Sequence, residues 1–123
     1  MVSVLTELKL NAHVIKIPSE LSVLRKQAEI QKVLSENDFD GVFCTDDLTA
    51  LLVKQRAQKM NQNLHVVGFD GTEYVENYHP DLTTIKQPIS DLAELLVDLL
   101  IRKIKGESVD KSYQLPVKLH YGE

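Results

Sequence analysis

Apolar residues recur along the chain at two spacings, and the alternation between them predicts helix and strand in turn. Val2, Leu5 and Leu8 fall at helical spacing with no capping residue ahead of them, as though the chain opened inside a helix of a longer protein. His13 to Ile17 reads as a short strand, punctuated by Pro18 and Ser19. Leu21 to Asn37 then carries Leu24, Ala28, Ile30, Val33 and Leu34 on one helical stripe. Asp40-Gly41 turns the chain into Val42-Phe43-Cys44, a strand with apolar residues on both faces. Leu48, Leu51, Leu52 and Met60 line the helix that follows, broken by Asn61 to Asn63. Leu64 to Phe69 predicts another strand, residues 70–80 an irregular stretch, and Leu82 to Lys86 a further extended segment. Pro88 opens a helix over 89–105, with Leu92, Leu96, Leu99 and Ile104 on its stripe and Gly106 as its stop. Tyr113 to Tyr121 closes the pattern as a last strand.

Strands separated by helical crossovers specify an α/β fold: an open, mainly parallel sheet with helices on both faces. In such sheets ligands gather outside the carboxyl ends of the strands. Three polar clusters follow strands here, Thr45 to Asp47, Asp70 to Thr72 and Lys86 to Pro88, so all three are expected on one rim. The first contains two adjacent carboxylates. Capping a helix needs one of them, and the other is free to accept from hydroxyl groups. The plain reading is that Thr45 or Asp46 caps the Leu48 helix and Asp47 complements its dipole; the functional one is that Asp47 caps or flanks that helix, with Thr45 beside it, while Asp46 and Asp70 face one cleft.

Composition narrows the chemistry. At 123 residues, 43% hydrophobic and 26% charged, the chain fills one small domain at most. A net charge of −4 gives no clustered basic face for nucleic acid, so this stretch is not expected to hold DNA by itself. Cys44 is the single cysteine and lies within an apolar run, which reads as a small buried hydrophobe in a reducing compartment. No cationic leader or unbroken apolar stretch appears, so a cytoplasmic protein without membrane attachment is expected. The four histidines, His13, His65, His79 and His120, show no metal-ligand spacing, and neither a metal nor a cofactor is expected. Tyr74 and Tyr78 suit packing more than stacking on a sugar ring, and Thr83 and Thr84 suit a strand without further chemistry. Acids at a strand end also serve magnesium-dependent phosphotransfer and phosphatase-like domains, but those need acids two apart or on successive strands, with a glycine-rich loop or a well-placed lysine. Only Lys86 is roughly placed, so no catalytic residue is assigned.

"DGVFCTDDLTALLVKQRAQ", then "HVVGFDGTEY", then "HPDLTTIKQP" and "YQLPVKLHY" together resemble the effector-binding core of the lactose-repressor family of bacterial transcription regulators. The resemblance covers essentially the whole chain and implies part of a two-lobed, periplasmic-binding-protein-like body, mostly its second lobe. Members of that family join such a body to a helix-turn-helix head, and a small effector between the lobes alters DNA affinity. The resemblance therefore implies a small effector, usually a saccharide such as sucrose but open to a phosphosugar or a nucleobase, DNA contact only through a head that these residues do not contain, and a homodimer. It also implies that the 89–105 helix packs with the first lobe, so its stripe would self-associate without that cover.

Position by position, the family pattern assigns effector contacts to Asp46, Asp70 and Gln87, and leaves Thr45 and Asp47 to the helix cap and to support behind the site. Asp46 stands where the family often has asparagine. That exchange removes two donors and weighs against an anionic ligand. Gly71 stands where a second acid is common and suits a turn with positive φ.

Overall fold

The computed structural model describes residues 2–122. Its elements run α1 (Val2–Glu7), α2 (Val23–Glu36), β1 (Gly41–Phe43), α3 (Asp47–Lys59), β2 (His65–Asp70), α4 (Glu73–Tyr78), β3 (Thr83–Lys86), α5 (Ile89–Ile104) and β4 (Lys118–His120). The four strands form one sheet in the order β1-β2-β3-β4, an open α/β arrangement. β1, β2 and β3 are parallel, and β4 returns antiparallel to β3, with Ile85 opposite Leu119.

The core forms where α3 packs on β2 and α2 packs on α3. Ile30 and Leu34 of α2 meet Ala50, Val53 and Ala57 of α3, which recur three and four residues apart and so share one face. Leu82 is fully buried beside them. Two residues read as stripe members fall outside this face: Leu24 is 78% exposed and Leu48 57% exposed. Leu24 sits in the first turn of α2, ahead of the segment that meets α3, and Leu48 lies on the flank of α3 away from Ala50 and Val53. Phe43 is likewise exposed, so β1 is an edge strand rather than a strand covered on both faces.

Two elements differ in kind from the sequence reading. His13 to Ile17 forms no strand: it runs extended on the surface, with Ile17 against the core and the His13 ring edge-on to Phe39 at 5.6 Å. A short apolar run reads alike whether its backbone joins a ladder or only lies along one. Within residues 70–80, α4 replaces the irregular stretch. Thr72 caps it by accepting from the Val75 amide, Glu73 and Glu76 suit the positive end of its dipole, and Val75 is buried.

Helix α5 stands apart. None of its residues is buried, and Leu96, Leu100 and Ile104 are exposed. Its Leu92, Leu95 and Leu99 border a shallow apolar groove with Tyr113, Leu115 and Val117. Among the described residues no helix is long and apolar enough to cross a membrane.

Candidate functional site

The parallel register brings the predicted clusters together. Asp70, the last residue of β2, lies beside Lys86 at the end of β3, and Cys44, just after β1, donates its amide to Val67 of β2. The three polar segments thus emerge on one rim. Asp46, Asp47, Asp70, Thr72 and Tyr74 line a recess of about 190 Å³ there, together with Leu48, Leu51 and Val75.

Of the two adjacent acids, Asp47 flanks the helix and the cap falls to Asp46, as in the plain reading. Asp46 is the cap: its backbone is extended (φ −150°, ψ 157°), and its carboxylate accepts from the Thr49 amide at 2.7 Å and from the Thr49 hydroxyl at 2.8 Å. Thr45 is exposed and makes no part of that cap. Asp47, the first residue with helical geometry, turns inward and is buried. Its Oδ2 accepts from the Gly71 amide at 2.9 Å, and its Oδ1 accepts from the Thr84 hydroxyl at 2.5 Å. The extended backbone of Asp46 and the helical backbone of Asp47 send the two side chains apart, one back to Thr49 and the other inward to Gly71 and Thr84. The two carboxylates therefore do not form a pair that could clasp one ion. Among the described residues no cluster of three or more His, Cys, Asp or Glu is placed to hold a metal.

Asp70 is shaped by its backbone. Its φ of 138° lies where residues other than glycine rarely settle, a conformation that costs on the order of 1–3 kcal/mol and persists only when neighbours impose it. Gly71 follows at φ 62°, as the turn requires, and a side chain there would also run into the Lys86 backbone. Gln87 supplies two of the constraints. Its side-chain amide donates to Asp70 Oδ1 at 2.9 Å, and its backbone N–H donates to the Asp70 carbonyl at 3.1 Å. Asp70 Oδ2 carries no hydrogen bond among the described residues, which leaves an acceptor at the rim.

Among the described residues, the groups around the recess offer no free positive charge to an anion. Lys86 is paired with Glu76, and that hydrogen bond holds the Glu76 carboxyl below the usual carboxylate range. The nearest rim cation is therefore already matched. Cys44 is buried, and burial together with the negative Asp46 pushes its thiol up to about 12, which leaves it protonated and inert. Tyr74 and Tyr78 are both exposed, with ring centroids 5.2 Å apart, rather than packed into the core. Thr84 is the residue that strand propensity undervalued: it is wholly buried and its hydroxyl is committed to Asp47. Only the requirement that a buried hydroxyl find a partner could have signalled it.

Residues 3–123 match the family described as a periplasmic binding protein-like domain. The chain is 68% identical over 114 residues to the sucrose operon repressor of Lactococcus lactis subsp. lactis, covering 93% of this chain and 36% of that protein. It is 46% identical over 116 residues to the sucrose operon repressor of Streptococcus mutans serotype c, covering 91% and 36%. The chain thus spans about a third of the length of these relatives. Among solved structures, the lac repressor dimer bound to operator and the anti-inducer ONPF superposes with a TM-score of 0.81 at 26% identity, over 96% of this chain and 43% of that one. A LacI family transcriptional regulator from Enterococcus faecium with bound ribose gives 0.75 at 25% identity, over 95% and 45%.

Proposed function

Because the chain belongs to the periplasmic-binding-protein-like family, as part of the effector-binding domain of a lactose-repressor-type regulator, we propose that it senses a neutral saccharide of sucrose utilisation and thereby controls a repressor's hold on DNA. The observation that carries this reading is the convergence of Asp46 and Asp70 on one recess at the strand ends. Vicinal hydroxyls donate, and carboxylates accept from two at once, so a polyol is the ligand such a rim suits. Gln87, bonded to Asp70, serves the same site by holding that carboxylate in place. The reading makes the chain a regulator rather than an enzyme, acting in the cytoplasm where operators lie.

The recess supports only one wall of a binding site. Its volume of about 190 Å³ falls short of the roughly 300 Å³ at which pockets begin to enclose a small ligand. The remainder of the regulator supplies the opposite wall in this account and covers the apolar stripe of α5. Burying one such leucine or isoleucine contributes roughly 1.5–3 kcal/mol, enough to make that cover part of the folded regulator. DNA is reached through a separate head, and the working unit is a homodimer, as in the lac repressor dimer structure.

A ligand panel tests the reading. A regulator of the relatives' length that carries this chain is screened by thermal shift and calorimetry against sucrose, fructose, glucose, ribose, sucrose 6-phosphate and a purine base. Stabilisation by sucrose or another neutral saccharide is expected. A response confined to the purine would contradict the polyol rim, and one confined to the phosphosugar would contradict its preference for neutral ligands.

A further inference from the structure

One peptide unit at the rim is pinned at both ends. The Asp70 carbonyl accepts from the Gln87 amide at 3.1 Å, and the Gly71 amide donates to Asp47 Oδ2 at 2.9 Å. That unit sets the direction in which Asp70, at φ 138°, presents its carboxylate. The Asp47 clamp is itself held in place. Its Oδ1 accepts from the hydroxyl of Thr84, a β3 residue with no exposed surface that takes no part in lining the recess. Gly68 leaves the space that Asp47 Oδ1 occupies, since a Cβ at that position would overlap it.

We infer that Thr84 is a positioning residue for effector binding, acting through Asp47 and the Asp70-Gly71 peptide to aim Asp70 at the ligand it never touches itself. The inference rests on the saccharide-sensing reading of the rim. A hydroxyl that served only to satisfy a buried carboxylate would matter for stability alone. A hydroxyl that fixes the clamp on a strained peptide matters for affinity as well, because a carboxylate a fraction of an ångström out of place loses bonds to two hydroxyls together.

The test compares Thr84→Val, which keeps the volume and removes the hydroxyl, with Thr84→Ser, which keeps the hydroxyl. Both are made in the full regulator and titrated calorimetrically with sucrose, or with the neutral saccharide the panel identifies, well below the unfolding midpoint of each variant. Thr84→Val is expected to weaken binding roughly tenfold, and Thr84→Ser to return it to within about twofold of the parent. In an Asp70→Asn background the Val substitution is expected to change affinity by less than about twofold, because the pathway runs through the Asp70 carboxylate.

Parent affinity in Thr84→Val would overturn the inference. So would equal weakness of the Ser and Val variants, or an undiminished tenfold loss in the Asp70→Asn background. If Thr84→Val does not fold, Asp47→Asn takes its place. Its single acceptor oxygen cannot receive both donors as before, a loss of roughly fivefold is expected, and parent affinity would again reject the inference. The outcomes also separate the two readings: a parent that binds sugar alongside unaffected variants removes the positioning role alone, whereas a parent that binds no saccharide removes the sensing role and this inference with it.

Discussion

Asp70→Asn will weaken saccharide binding roughly 100-fold while leaving the fold close to its original stability. Asparagine tolerates a positive φ nearly as well as aspartate, so the strained backbone at 138° can be kept. What changes is the acceptor capacity. The carboxylate gives one oxygen to Gln87 and keeps another for a ligand hydroxyl, whereas the amide has one oxygen and no charge. Losing the charge-assisted hydrogen bond to that hydroxyl costs up to about 3 kcal/mol, which corresponds to the hundredfold change. Calorimetric titration measures the affinity and chemical denaturation the stability. A variant that binds as tightly as the parent removes Asp70 from the site, and one that loses several kcal/mol of stability makes the binding loss indirect.

Gly68→Ala will destabilise the domain by roughly 3 kcal/mol. A Cβ at residue 68 overlaps Asp47 Oδ1 and comes within 3.2 Å of Ala50 Cβ and 3.3 Å of Thr84 Oγ1, so the carboxylate must move. Moving it adds overpacking, at about 1–3 kcal/mol, to the desolvation of a buried amide and hydroxyl left without their acceptor. Gly41→Ala is the matched control, because a Cβ there meets His65 only at 3.5 and 3.8 Å, ordinary contact distances, and its effect should stay within about 1 kcal/mol. Urea denaturation of the two variants side by side decides the matter. Equal midpoints would mean that the Asp47 carboxylate relaxes without loss.

The rim was legible because parallel α/β order forces strand ends into register. Strand order alone brings Asp46 and Asp70 to one recess and lets Gln87 bond Asp70, but Gln87 borders the groove beside α5 and not the recess. That a residue of Thr45 to Asp47 caps the helix was legible, but which one was not, since that depends on where the helix begins to within one residue. Thr84 was not legible for a different reason: its importance lies in a contact 37 positions away, which no local pattern shows. Leu24 and Leu48 fit a helical period yet face solvent, because periodicity marks a face without fixing how much of the helix a partner reaches. α4 leaves no helical period in the sequence because its 6 residues carry only one buried side chain.

The most direct test of the account is the crystal structure of the regulator with its saccharide bound. A sugar ring is expected at the rim of β1 and β2, with carboxylate oxygens of Asp46 and Asp70 each within about 3 Å of hydroxyls on that one ligand. A saccharide bound elsewhere, or one whose hydroxyls meet neither carboxylate, would contradict it.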